Sequence, residues 1–130
     1  MKLVKSYPNR LASDRTRKMY PALGKIAKKH FDDSFKQEGF TDVHFEKWAT
    51  RVGNRRPKDR ILYETGKLSR SNEWRIISGG IQVYNDTPYG YYHNKGINQV
   101  QRKYMGNSYE LNRKSAEVIR SVVLKSFSRK

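Results

Sequence analysis

The stretch EWRIISGGIQVYN, residues 73–85, constrains the fold more than any other part of the chain. Two runs rich in β-branched and aromatic residues flank Gly79-Gly80, and a two-residue glycine loop between such runs is the mark of a tight hairpin. With those glycines as the turn, Ser78 pairs with Ile81, Ile76 with Val83 and Trp74 with Asn85. Side chains alternate along a strand, so Trp74, Ile76, Ile81 and Val83 share an apolar face for a helix to cover. The opposite face sets Arg75 against Tyr84, a cation–π pair. A two-stranded hairpin is marginal alone. At least one further strand is therefore expected, with residues 89–94 and 102–105 as candidates.

Two helices suit that face. Leu23, Ile26, Ala27, His30, Phe31, Ser34 and Phe35 recur at three- and four-residue spacing, the period of an amphipathic helix. Pro21 fits its first turn and Gly39 its end, which predicts a helix over about 20–37 with an earlier turn from Ser13. His30 lies on the apolar stripe and reads as a packed histidine. Near the other end, Asn107 and Glu110 stand three apart in capping-box relation. Leu111, Ser115, Val118, Ile119 and Val122 then fall on one side of a helix, with Arg113, Glu117 and Arg120 on the other. Between these, Phe40, Val43, Phe45 and Trp48 offer apolar anchors, and a helical turn from Pro57 to Glu64 is expected to end at Gly66. The expected class is α+β: an antiparallel sheet containing a central hairpin, packed against long N-terminal and C-terminal helices. At 130 residues a single domain over 1–130 is expected, with residues 1–19 including a basic arm.

Charge bounds the partners. Against 12 Asp+Glu there are 28 Lys+Arg, a formal net charge of +16. Residues 1–29 hold nine basic groups and one acidic, whereas residues 30–50 hold two and five. Such a field favours polyanions, nucleic acid or acidic protein surfaces. Arg10, Arg15, Arg17, Lys18, Arg55, Arg56, Arg113 and Arg120 are the candidate contacts to a polyanion or a neighbouring subunit. There is no cysteine, which removes disulfides, thiol catalysis and cysteine-ligated zinc. The opening MKLVKSYPNR lacks a signal peptide's apolar run, and no apolar stretch approaches the ~20 residues of a membrane span. A soluble protein made in a cytoplasm is expected, with no membrane partner.

Chemistry-bearing patterns are sparse. His30, His44 and His93 form neither HExxH nor a helical pair, so no metal is expected. GxSxG and GxGxxG are absent, and Thr65-Gly66-Lys67 lacks the earlier glycine of a phosphate loop, so no cofactor is expected either. Asp32, Asp33, Glu38, Asp42 and Glu46 cluster in sequence but read as solvated charges or as a surface for a basic patch of another copy. Arg102-Lys103-Tyr104 suits phosphate contact and base stacking, though Tyr104 or Met105 fits a core equally well.

The order of motifs resembles a specific family, the tail-completion or virion-morphogenesis proteins of tailed phages. There, a helix with phenylalanines leads to a tryptophan, then Leu-x-x-Thr-Gly-x-Leu-x-x-Ser, a hairpin, Tyr-x-x-x-His-x-x-Gly, Arg-x-Phe-Leu/Met-Gly and a closing helix. This chain has Phe31, Phe35 and Trp48, then Leu62, Thr65, Gly66, Leu68 and Ser71 in LYETGKLSRS. Tyr89, His93 and Gly96 follow the hairpin, and RKYMG carries Arg102, Met105 and Gly106. The likeness covers about residues 20–127. It departs in lacking prolines around Arg102 and an aromatic before Gly96. The resemblance implies a non-enzymatic virion protein without cofactors. It would form a ring of copies, commonly six, at the head–tail junction or the end of the tail tube. Its partners would be neck, connector and tail-tube proteins, with DNA in the channel. It would be found in the virion, and in the host cytoplasm during assembly. Two rival readings stand beside it: a basic nucleic-acid-binding module, and a small endoribonuclease toxin with His93 as general acid or base and Arg102 against phosphate.

Overall fold

The computed structural model of the chain describes residues 14–49, 67–88, 90–97 and 101–128. It opens with a π-helical turn, Arg15–Met19, that continues without a break into α1, Tyr20–Gln37. Pro21 accounts for the change of pitch. Proline has no N–H to give, and its ring crowds the carbonyl four residues back. Immediately before it, the Tyr20 N–H reaches five residues back to the Arg15 carbonyl, which is the π spacing. Residues 14–19 of the basic stretch are therefore helical, and Asp14 and Met19 are buried.

α1 ends at Gln37, as the spacing predicts, but its left-handed cap is Glu38, one residue before the expected glycine. Glu38 takes the left-handed conformation, φ 56° and ψ 49°, and donates its N–H to the Ser34 carbonyl. Gly39 instead opens β1, Gly39–Thr41, which pairs antiparallel with β2, Phe45–Lys47. A Cβ on Gly39 would lie 2.4 Å from the Phe45 ring, so the glycine is needed for the approach of β2. The sequence carries no hairpin signal over these short strands. Of its four expected anchors, Phe40 and Trp48 are buried, but Val43 and Phe45 are 58% and 47% exposed.

After a short α2, Lys67–Arg70, come β3, Asn72–Ile77, and β4, Gly80–Asn85. The hairpin is the expected one in a corrected register. Ile77 faces Gly80, Ile76 faces Ile81 and Trp74 faces Val83. Ser78-Gly79 is thus the turn, and only Gly79 of the two glycines has a positive φ, 82°. The shift preserves the faces, although Ile76, expected under a helix, is 44% exposed. Trp74, Ile81 and Val83 still look toward α1, and a Cβ on Gly24 would lie 2.3 Å from the Trp74 ring. Arg75 now stands opposite Gln82, to which its Nε donates at 2.7 Å, and its guanidinium reaches the diagonal Tyr84 ring at 4.7 Å.

Neither expected extra strand forms. Residues 90–95 are a helix, α3, Gly90–Lys95, and residues 101–104 are irregular. Among the described residues the sheets are two separate antiparallel pairs, β1–β2 and β3–β4. Without a third strand, the hairpin is supported by α1, the helix expected to cover its apolar face. The last element is α4, Tyr109–Ser128. Its cap is Ser108, one residue later than expected, with the Leu111 N–H donating to Ser108 Oγ at 3.2 Å. Asp42 completes that cap: Oδ1 accepts the Tyr109 N–H at 2.7 Å and its carbonyl the Glu110 N–H at 3.1 Å. At the far end, the Ser126 hydroxyl donates to the buried Asp14 at 2.6 Å, so α4 runs antiparallel to the long first helix. The core has two clusters, Phe35, Trp48, Leu68 and Tyr104, and Ala27, Phe31, Phe40 and Leu111, with Met105 packed against both. The class is α+β.

Candidate functional site

Several of the described residues that carry the family resemblance meet at one joint. The Phe35 ring lies 4.9 Å from Tyr104 and 5.7 Å from Trp48. Trp48 is held by both its nitrogens: the indole Nε1 donates to the Lys103 carbonyl at 2.8 Å, and the backbone N–H to Glu38 at 2.7 Å. Arg102 Nε donates to the Ala49 carbonyl at 3.1 Å. Leu68 completes the floor, and the Ser71 hydroxyl turns back to the Lys67 carbonyl, closing α2. Leu62, Thr65, Gly66 and Tyr89 lie outside the described residues, as does the turn expected over 57–64.

The hub of this joint is Asn94, which no sequence pattern marks. Asn94 Oδ1 accepts the N–H groups of Tyr104 and Met105 at 2.8 and 3.1 Å, and Nδ2 donates to the Met105 carbonyl at 2.9 Å. A side-chain amide presents donor and acceptor side by side, and here it clamps a passing backbone as a sheet partner would. Gln101 Nε2 donates to the Asn94 carbonyl, and the Arg102 N–H to the His93 carbonyl, both at 2.9 Å. His93 itself is half-buried on α3. Burial, and then the nearby Arg102 charge, lower its pKa from 6.5, so the ring is neutral at pH 7. Gly96 and Gly106 both take positive φ, 74° and 150°, at the two ends of the clamped segment.

Two further polar networks hold the elements that frame the joint. Asn72, fully buried, donates to Asp32 at 2.9 Å and accepts from Asn85 at 2.9 Å. Asn85 in turn donates to the Leu68 carbonyl and accepts from the Thr87 hydroxyl, and Lys28 balances Asp32 at 2.6 Å. In the second network, His30 Nε2 lies 3.1 Å from both the Thr41 carbonyl oxygen and Ser108 Oγ, and the Ser108 hydroxyl donates to the same carbonyl. His30 is packed, as its place on the stripe implied. Asp32 and Asp42 are not free solvated charges: one anchors a buried amide and the other caps α4. The signal available for them was weak, since a polar residue has no periodicity to betray a partner far away in sequence.

The candidate contact residues separate into groups. Arg15, Arg17 and Lys18 are exposed on the π turn, and Arg120 is exposed on α4. Arg113 is held by two carboxylates of its own helix, Glu110 and Glu117, each at 2.6 Å, so its charge is balanced locally. Arg10, Arg55 and Arg56 lie outside the described residues. A cleft of about 390 Å³ opens beside Trp48, lined by acidic Asp42 and Glu46, by His44, and by basic Lys47 and Lys103. Among the described residues no group of three or more His, Asp or Glu is placed to hold a metal, and no helix is long and apolar enough to cross a membrane. No family model, curated protein or solved structure matches the chain.

Proposed function

We propose that the chain is a structural, non-enzymatic virion subunit of the tail-completion or head–tail connector kind. It acts by assembling into a ring and docking between neck and tail. One observation carries this reading. Trp48, Leu68 and Met105 pack in one cluster with Phe35 and Tyr104, Arg102 bonds the Ala49 carbonyl next to Trp48, and Asn94 clamps the backbone of Tyr104 and Met105. Their chemistry goes into fixing the chain's path, and the basic side chains at the surface are left to meet polyanionic or acidic neighbours. Mass spectrometry of purified phage particles carrying this gene tests the reading directly. The chain is expected in the particle at several copies, and a deletion should yield unjoined heads and tails. Its absence from particles sinks the proposal.

A nucleic-acid-binding module remains the second reading because of α3. Tyr91 and Tyr92 are 58% and 48% exposed, with rings 5.9 Å apart, on the same short helix as Lys95. Exposed aromatics beside cations suit base stacking. On that reading, binding of the isolated chain to single-stranded DNA falls steeply with salt, and Tyr91→Ala/Tyr92→Ala removes it.

A further inference from the structure

α4 is apolar on two sides. Leu111 lies in the core, and the half-buried Val118 and Val122 continue its side at seven- and four-residue spacing. On another side Ala116, Ile119, Val123, Leu124 and Phe127 recur at the spacing of a second apolar stripe. This second stripe faces outward: Ile119 and Leu124 are 40% and 56% exposed, and Ala116 is exposed as well. A helix apolar on two sides is suited to cover on both. The charge around the stripe is of one sign. Residues 118–130 hold four basic groups and no acidic one. Arg120 sits within the stripe, and the π turn packed beside α4 exposes Arg15, Arg17 and Lys18. The two acidic residues of α4, Glu110 and Glu117, lie in its first half and pair with Arg113.

We infer that this stripe docks an acidic amphipathic helix of a different protein in the particle. Such a helix sets apolar side chains three and four residues apart against the stripe, and the small Ala116 leaves room for close approach. Aspartates or glutamates bordering it face Arg120, Arg15 and Arg17, and that complementarity steers the encounter and fixes its register. Among the described residues a second copy has little acidic surface to offer. Asp14, Asp32 and Asp33 each pair with a lysine of their own chain, Glu110 and Glu117 with Arg113, and Asp42 caps α4. Nucleic acid would satisfy the cations through its phosphates but leave Ile119 and Leu124 unburied. The inference rests on the virion-subunit reading for the source of the partner, and on the stripe and its charge for the contact itself.

Photo-crosslinking in assembled phage particles identifies the occupant. The photoreactive residue p-benzoylphenylalanine in place of Leu124, and separately in place of Ala116, probes two exposed positions of the stripe. On irradiation both are expected to join the chain to one peptide of a different virion protein. That peptide should carry apolar residues at three- and four-residue spacing with Asp or Glu beside them. Adding Arg120→Glu should cut the yield of this product at least ~3-fold, while the purified chain keeps its circular-dichroism melt; if the melt falls, Arg120→Gln takes its place. An unchanged yield overturns the inference. So do particles that contain the chain but give no product at either position, or products only with the chain's own residues 1–13, a second copy, DNA or lipid. Each of those outcomes leaves the virion reading standing. A chain missing from wild-type particles overturns both.

Discussion

Two buried ionisable groups tie stability to pH in opposite directions. His30 titrates below its ordinary 6.5, chiefly because burial disfavours the imidazolium; Lys114 adds to this, while the Thr41 carbonyl, Asp33 and Glu110 oppose it. A folded-state value below the unfolded one means the contribution is present above about 6.5 and lost as pH falls through the folded value. His93 shifts the same way. The urea midpoint is therefore expected to fall between pH 7 and pH 5, and His30→Gln, which keeps a donor for Thr41, should flatten that slope without abolishing it. Tyr104 is the converse. Burial pushes its phenol from 10.0 up to about 12, so its contribution is intact below pH 10 and lost between pH 10 and 12. Phenolate absorbance should show one tyrosine ionising late, and Tyr104→Phe should lessen the alkaline loss of stability. His30 was legible in the sequence because it sits on an apolar stripe. Asn94, Asn72 and Ser108 were not, because the groups they satisfy lie 10, 13 to 40, and up to 78 residues away.

Among the elements, the β3–β4 hairpin was legible in its existence and its faces but not in its turn. Moving the turn from Gly79-Gly80 to Ser78-Gly79 re-pairs every residue yet leaves each on the same side, so hydrophobic alternation cannot distinguish the two registers. The glycines can. Gly79→Ala should destabilise by about 1–2 kcal/mol in chemical denaturation, since alanine resists the left-handed region. Gly80→Ala should stay within about 0.5 kcal/mol, because a Cβ there meets nothing within 4 Å. Gly24→Ala tests the packing of α1 on the hairpin. Helix propensity alone favours alanine by up to ~1 kcal/mol, but the new methyl would strike the Trp74 ring, and overpacking of about 1–3 kcal/mol should win. The β1–β2 pair escaped notice because three-residue strands are too short to show a period. The need of a two-stranded hairpin for a partner makes residues 89–94 a strand candidate, but residues 90–95 form α3, whose Asn94 side chain clamps the following backbone instead.

For the whole molecule the governing quantity is the formal charge of +16. A compact body carrying that much charge of one sign repels itself, while most ion pairs among the described residues lie at the surface, where pairs contribute little. Screening should therefore stabilise this chain. Scanning calorimetry is expected to show the melting temperature rising by several degrees between ~20 and ~500 mM NaCl, as the screening length contracts. A flat or falling trend would mean that the surface pairs outweigh the repulsion.

The cap that Asp42 places on α4 also bears on when the chain is able to fold. The first amides of α4 find their acceptors 67 residues earlier in sequence, and its far end closes on a carboxylate 112 residues earlier. On a ribosome, α4 emerges after every element it packs against, so the hairpin and the first helix must wait with their mating surfaces open. Contacts of such long sequence separation form slowly. The nascent chain is thus exposed, basic and half-built beside ribosomal RNA until α4 arrives, and its folding is expected to be a late, single event rather than a stepwise one.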